Sequence, residues 1–148
     1  MNGQSPAPIW RRPESVLVVV STVAGEVLLL ERVSPAGFWQ SVTGGLEEGE
    51  TPAAAARREL REETGIVAEP QDCHSFSDFP IREPWRARYA PEVSTNREYV
   101  FALELAQRVE IRLDPQEHVR FDWLEREHAL ATMGSPTNQA AVKRYVQP

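Results

Sequence analysis

The chain has little of what would mark it for an oxidising exterior, a membrane or a nucleic-acid polymer. Cys73 is the only cysteine among 148 residues, so no intrachain disulfide can form and a reducing cytoplasmic setting is expected. No apolar run is long enough to span a bilayer, since the most apolar stretch, Val16 to Leu30, is interrupted by Gly25 and Glu26. The segment MNGQSPAPI lacks a basic region followed by an apolar run, which argues against a signal peptide. It reads as a flexible tail over residues 1–9, ahead of one domain over 10–148. Positive charge is in deficit: 16 Lys and Arg against 22 Asp and Glu leave a net charge of −6. No basic stripe is therefore available to follow a nucleic-acid backbone, although an acidic protein can still hold a polyphosphate through metal. Lysine itself is almost missing, because Lys143 is the only one among the 16 basic residues. That bias suits bidentate phosphate contacts and is equally compatible with codon bias. There is no internal repeat, linker or low-complexity tract.

What is present is a series of short strand-like runs around one helix. Ser15 to Val23 is continuous and β-branched, Ala24-Gly25 is turn material, and Glu26 to Arg32 forms the second arm of a hairpin. Phe38 to Val42, Ile66 to Val67, Cys73 to Phe79, Arg97 to Leu105 and Val119 to Leu124 are further strand candidates. Pro80, Pro84 and Pro91 make the connection before Arg97 irregular. Asn138 to Val146 has helical spacing through Ala141, Val142 and Tyr145. Strands mixed with two main helices predict an α/β sandwich.

The most informative stretch is GGLEEGETPAAAARRELREETGI, from Gly44 to Ile66. Thr51 can cap a helix that has Pro52 at its first position, strong helix formers follow, and Gly65 supplies a left-handed stop. At 100° per residue Glu59, Glu62 and Glu63 share one arc, while Leu60 turns toward a core. Two carboxylates about 5 Å apart repel by roughly 3 kcal/mol at an effective dielectric near 20, so three neighbours call for a cation. Oxygen donors without histidine or cysteine favour Mg²⁺ or Mn²⁺. The plainer reading is a solvated acidic face with i,i+4 pairs such as Arg58 with Glu62.

The spacing decides between these readings. The stretch resembles the Nudix box, G-x5-E-x7-R-E-U-x-E-E-x-G-U with U aliphatic, at Gly44, Glu50, Arg58, Glu59, Leu60, Glu62, Glu63, Gly65 and Ile66. Seven of those positions demand a single residue type. At ~7% usage each, a chance match at a given start is roughly one in 10⁸. The resemblance implies a Nudix-type α/β/α sandwich with a mixed sheet, and hydrolysis of a compound with a nucleoside-diphosphate-like group.

Outside the box the chain resembles one branch of that superfamily, the bacterial dihydroneopterin triphosphate pyrophosphohydrolases. The matching pieces are RRPESVLVVV from Arg11, FWQSVTGG from Phe38, RYAPEVSTNREY from Arg88, EHVRFDWL from Glu117 and SPTNQAA from Ser135. Gly45 stands where that branch often has serine. The resemblance implies cleavage of dihydroneopterin triphosphate into its monophosphate and pyrophosphate, a step toward folate, with Mg²⁺ as cofactor and Mn²⁺ as substitute. It carries the metal ligands onto Glu59, Glu63 and Glu117, with Glu62 on the same helical face. It carries the substrate contacts onto Arg11, Arg32, Thr43, Phe79, Pro80, Ile81, Arg82 and Ser135. The partner is thus a small-molecule triphosphate, with no membrane and no nucleic-acid polymer.

Each residue also has a bland reading: Arg11 and Arg32 as surface charges, Thr43 as a turn cap, Glu117 as a surface acid. His118 and His128 are read as structural, Trp39 and Trp85 as core or stacking residues, and Glu98 as a second candidate for a fourth carboxylate or a base. Glu59, Glu62 and Glu117 all remain candidates for the general base, with Arg58 orienting the acids. The rival readings are a Nudix nucleoside triphosphate or dinucleoside polyphosphate hydrolase, and a Nudix-fold ligand sensor without activity.

Overall fold

The computed structural model describes residues 9–148, so all but the last residue of the expected tail lies outside the described part. The seven strands are β1 (Glu14–Thr22), β2 (Glu26–Arg32), β3 (Trp39–Gln40), β4 (Val42–Gly45), β5 (Gln71–Pro80), β6 (Thr95–Leu105) and β7 (His118–Glu125). The helices are α1 (Pro52–Thr64), α2 (Arg126–Thr132) and α3 (Pro136–Tyr145), with a short 3₁₀ turn at Trp85–Arg88. They build one mixed sheet in the order β3-β2-β1-β6-β5, with β4 added along β1 and β7 along β2. β1 and β6 run parallel through nine register pairs from Glu14↔Arg97 to Thr22↔Leu105, and the other pairings are antiparallel. No helix among the described residues is long and apolar enough to cross a membrane.

A strand with a continuous apolar sequence needs cover on both faces, and β1 has it. Val16, Val18 and Val20 point into a core with Ala55, Ala56 and Leu60 of α1. Leu17 and Val19 point the other way, into a core with Ala129 of α2 and Ala141 and Val142 of α3. Each fully buried Val or Leu contributes about 1.5–3 kcal/mol. The sandwich is therefore α1 over one face and α2 with α3 over the other, as expected.

The helix α1 has the predicted bounds and caps. The Thr51 side chain accepts from the Ala54 N–H at 3.2 Å, and Gly65 takes φ 79° while its N–H donates to the Arg61 carbonyl. Four expectations need correction. The hairpin pairs only at its tip, Ser21↔Val27, because the rest of β1 bonds to β4 and β6 while β2 bonds to β7. Phe38 to Val42 divides at Ser41 into β3, which joins β2, and β4, which joins β1. Ile66 and Val67 form no strand; Ile66 packs against the α1 core and Val67 is exposed. A third helix, α2, lies where only two were expected, and its single buried side chain, Ala129, gives too narrow an apolar stripe to read as a helix from sequence.

The α3 face contains one costly group. Glu98 is 4% exposed, and burial pushes its carboxyl up to about 7, with a hydrogen bond from Thr137 acting in the opposite sense. A carboxyl whose folded pKa is raised loses stability as the pH climbs from about 4.5 through 7. Glu98→Gln should therefore stabilise the fold by up to about 3 kcal/mol at about pH 8, and by nothing measurable near pH 4, in urea unfolding followed by tryptophan fluorescence.

Candidate active site

The acids of α1 divide by their position around the helix. Leu60 and Glu63 face inward, Glu59 is mostly covered and Glu62 is about half exposed. Arg58 ties this end of the molecule together. Its guanidinium donates to both Glu50 oxygens at 2.8 Å, to the Gly45 carbonyl at 2.9 Å, to Glu59 at 2.7 Å and to Glu62 at 3.2 Å. These partners raise the Arg58 pKa still further, Glu50 most strongly. Arg58 thus fastens the loop before α1 to two of the three acids.

Glu63 lies deepest. Burial raises its carboxyl well above the usual range, and a hydrogen bond with Glu59 and the charge of Glu117 push in the same direction. The Thr43 N–H donates to it at 3.4 Å, and the His118 ring stands 3.9 Å away. His118 is itself fully buried, held neutral by burial and by Arg32, with its pKa pushed down to about 4. The expectation of a structural histidine holds for its burial, yet it borders the acids, which sequence reasoning did not foresee. The signal was its place directly after Glu117, on the strand that returns to the box.

Glu117 and Arg32 meet across the β2–β7 pairing. Arg32 pairs with His118, and burial lowers its pKa, with Arg88 and Arg11 acting in the same sense and Glu117 and Glu63 opposing them. Arg32, Ser34, Pro84, Trp85, Arg88, Gln116 and Glu117 line a cleft of about 210 Å³. The Arg32 guanidinium lies 6.0 Å over the Trp85 ring, which also meets Phe38 edge-on. Trp85 is thus half-buried and already engaged. Arg88 was missed in sequence; it opens the RYAP segment, and its carbonyl accepts from the Arg11 N–H at 2.9 Å.

The remaining expected contacts lie along the sheet. Gly44 pairs with Val16, on the α1 face, and a Cβ there would displace the Glu59 carboxyl, so glycine lets that carboxyl stand against the strand. Gly45 pairs with Ser15, on the α3 face, where a Cβ would meet Arg11 Nε at 3.0 Å. Glycine in place of the branch's serine therefore leaves room for the arginine. Thr43 and Phe79 share that face, through the pairs Thr43↔Leu17 and Phe79↔Asn96. Ser135 caps α3 and bonds Thr137 at 3.0 Å. Pro80 and Arg82 are exposed, Pro80 alternating away from Phe79, and the Ile81 N–H is used on the Ser94 carbonyl. Glu98 pairs with Ser15 and so lies on the α3 face, across the sheet from α1. It is not a further member of the helix acids.

Among the described residues no three His, Cys, Asp or Glu side chains stand close enough to form a finished metal cage. The donors nevertheless fit a hard divalent cation. Burial and the neighbouring Glu59 carboxyl both disfavour the ionised form of Glu63, a charge conflict that a dication relieves, and every candidate donor is oxygen.

Comparisons with known proteins agree with this geometry. Residues 11–145 match the NUDIX domain model. The chain is 40% identical over 144 residues to the dihydroneopterin triphosphate diphosphatase of Escherichia coli strain K12, covering 93% of this chain and 95% of that one. It is 36% identical over 145 residues to the protein of the same name from Haemophilus influenzae, covering 93% and 89%. The solved structure of the E. coli dihydroneopterin triphosphate pyrophosphohydrolase superposes with a TM-score of 0.87 at 38% identity, over 93% of this chain and 97% of that one. With its complete box running from β4 through α1 and a match running nearly end to end, the chain belongs to the Nudix hydrolase family.

Proposed function

We propose that the protein hydrolyses dihydroneopterin triphosphate to the monophosphate and pyrophosphate, using Mg²⁺ held by Glu59, Glu62, Glu63 and Glu117. The observation that carries this reading is the return of a segment 54 positions beyond Glu63 to the α1 acids: His118 stands 3.9 Å from Glu63, and its neighbour Glu117 lines one cleft with Arg32. The relatives named dihydroneopterin triphosphate diphosphatase support the choice of substrate. A cytoplasmic location belongs to the same reading, from the single cysteine.

When bound, the divalent ion supplies positive charge for the phosphate oxygens and brings the pKa of the attacking water toward 7. The residues do the rest. Arg32 and Arg11 bind phosphate oxygens, with Arg88 at the mouth of the cleft, and their guanidiniums suit bidentate contacts. Glu59, Glu62 or Glu117 takes the proton as the water oxygen bonds to phosphorus and the α–β anhydride bond breaks, releasing pyrophosphate. Arg58 holds Glu59 and Glu62 in position through the bonds described above. Thr43 lies between the acids, through its backbone, and the α3 face, through its side chain.

Three measurements test this. Pyrophosphate release should need Mg²⁺ or Mn²⁺ and stop in excess chelator, and Glu63→Gln should lower turnover by at least about 10²-fold. Glu117→Gln should impair turnover while leaving urea unfolding within about 0.5 kcal/mol of the wild type, because Glu117 is exposed. Across a panel of pterin, purine and pyrimidine triphosphates and dinucleoside polyphosphates, the pterin should show the highest kcat/KM, and Arg32→Ala should depress pterin and nucleotide substrates together. A preference for a nucleotide or a dinucleoside polyphosphate would overturn the substrate and leave the metal chemistry standing. Binding without hydrolysis of any compound would instead favour a sensor.

A further inference from the structure

Glu98 is placed where a carboxylate does the fold no good. It is buried on the α3 face with Oε1 unpartnered, and no cation stands among the groups that shift its titration. Burying an unpaired acid costs stability, and a leucine or glutamine would occupy the position more cheaply. Next to it on the same face, two residues along β6, Asn96 is also buried. Its Nδ2 is used on Ser15 Oγ at 2.8 Å, and its Oδ1 has no partner. With Glu98 ionised the two unmet groups are both acceptors, so the missing partner is a donor.

The surroundings point to what brings those donors. One row across four strands runs Gly45, Ser15, Glu98 and Ser77, with Phe79 paired to Asn96 one step further along. Arg11 stands over Gly45 at one end of this row. The N-terminal turn of α3 covers the middle, where Thr137 lies near enough to Glu98 to lower its pKa and Ser135 bonds Thr137 at 3.0 Å. Arg11, Thr43, Phe79 and Ser135, drawn from four distant segments, thus share one face with a buried unpaired carboxylate. Glu59 stands against Gly44 and Arg11 against Gly45, at the same end of the row, so phosphates held there leave the non-phosphate end of the substrate to the rest of the α3 face.

We propose that Glu98, assisted by Asn96, reads the heterocycle of the substrate by accepting the paired N–H donors of a 2-amino-4-oxopyrimidine edge. This rests on the proposed pterin substrate and deepens it. That edge presents an exocyclic amine and a ring N–H side by side, which match the two oxygens of an ionised carboxylate. The corresponding edge of cytosine or adenine alternates donor with acceptor and leaves one oxygen facing a lone pair. A pocket whose buried acceptors remain unpaired rejects such a ligand strongly. Phe79, on the same face, offers a ring on which a flat heterocycle can stack.

The test compares wild type with Glu98→Gln, which preserves shape but replaces one acceptor with a donor, and with Glu98→Ala. Binding of dihydroneopterin monophosphate is measured without metal by fluorescence titration, and kcat/KM is measured with Mg²⁺ for dihydroneopterin triphosphate and for CTP. Both variants should bind the pterin monophosphate about 30-fold or more weakly and lose a similar factor in kcat/KM on the pterin triphosphate. CTP turnover should stay within about 3-fold of wild type, since its base lacks the paired donors. Melting curves of Glu98→Gln at or above the wild-type midpoint exclude misfolding as the cause. Equal losses on both triphosphates, unchanged pterin binding in the variants, or no pterin binding by the wild type would each overturn the assignment. If wild type binds the monophosphate through Glu98 yet does not cleave the triphosphate, the proposed function falls and the role of Glu98 stands.

Discussion

Nine register pairs join β1 to β6 in parallel, and both strands carry packed side chains on both faces. A strand in that position has no free register, because a slip of one residue would send Val16, Val18 and Val20 to the wrong core. The chemistry depends on this constraint. With β1 fixed, β4 is fixed along it, Gly44 comes under Glu59 and Gly45 comes under Arg11. The acids and the polar row of the α3 face are thereby held on opposite sides of one sheet and a few residues apart in register.

Stability and function pull against each other at several points. Glu63, buried with Glu59 beside it, and Glu98, buried with an unpartnered oxygen, are each more expensive than an apolar replacement. The apolar layers on either side of β1 carry that load, with more than twenty buried hydrophobic residues among those described. Arg58 adds local support, since five hydrogen bonds from one guanidinium set the loop before α1 and two acids at once. Such a hub makes the positions of Glu59 and Glu62 depend on a residue that need never touch the substrate.

His118 illustrates how a structural residue becomes part of the site. It is buried because β7 pairs with β2, with a register shift between Glu31 and Arg32 that sets it opposite Arg32. That shift leaves Glu117 at the cleft and His118 against Glu63. Neutral and enclosed, the imidazole adds no charge to a place already crowded with acids and arginines.

The box was legible in the sequence because helix geometry is local. Thr51, Pro52 and Gly65 determine where α1 begins and ends, and the 100° step determines which acids share a face. Strand identities in β1, β2, β6 and β7 were equally plain, since period and β-branching are local too. The partners of those strands were not. Nothing near Ser15 announces that it pairs with Glu98 in parallel, and this pairing alone removes Glu98 from the acids of α1 and sets it under α3. Likewise the meeting of Glu117 with Glu63 and the cleft between Arg32 and Arg88 need contacts between segments dozens of residues apart. Such contacts are chosen by the burial of both faces of the sheet together, a property of the packed molecule that no single segment carries.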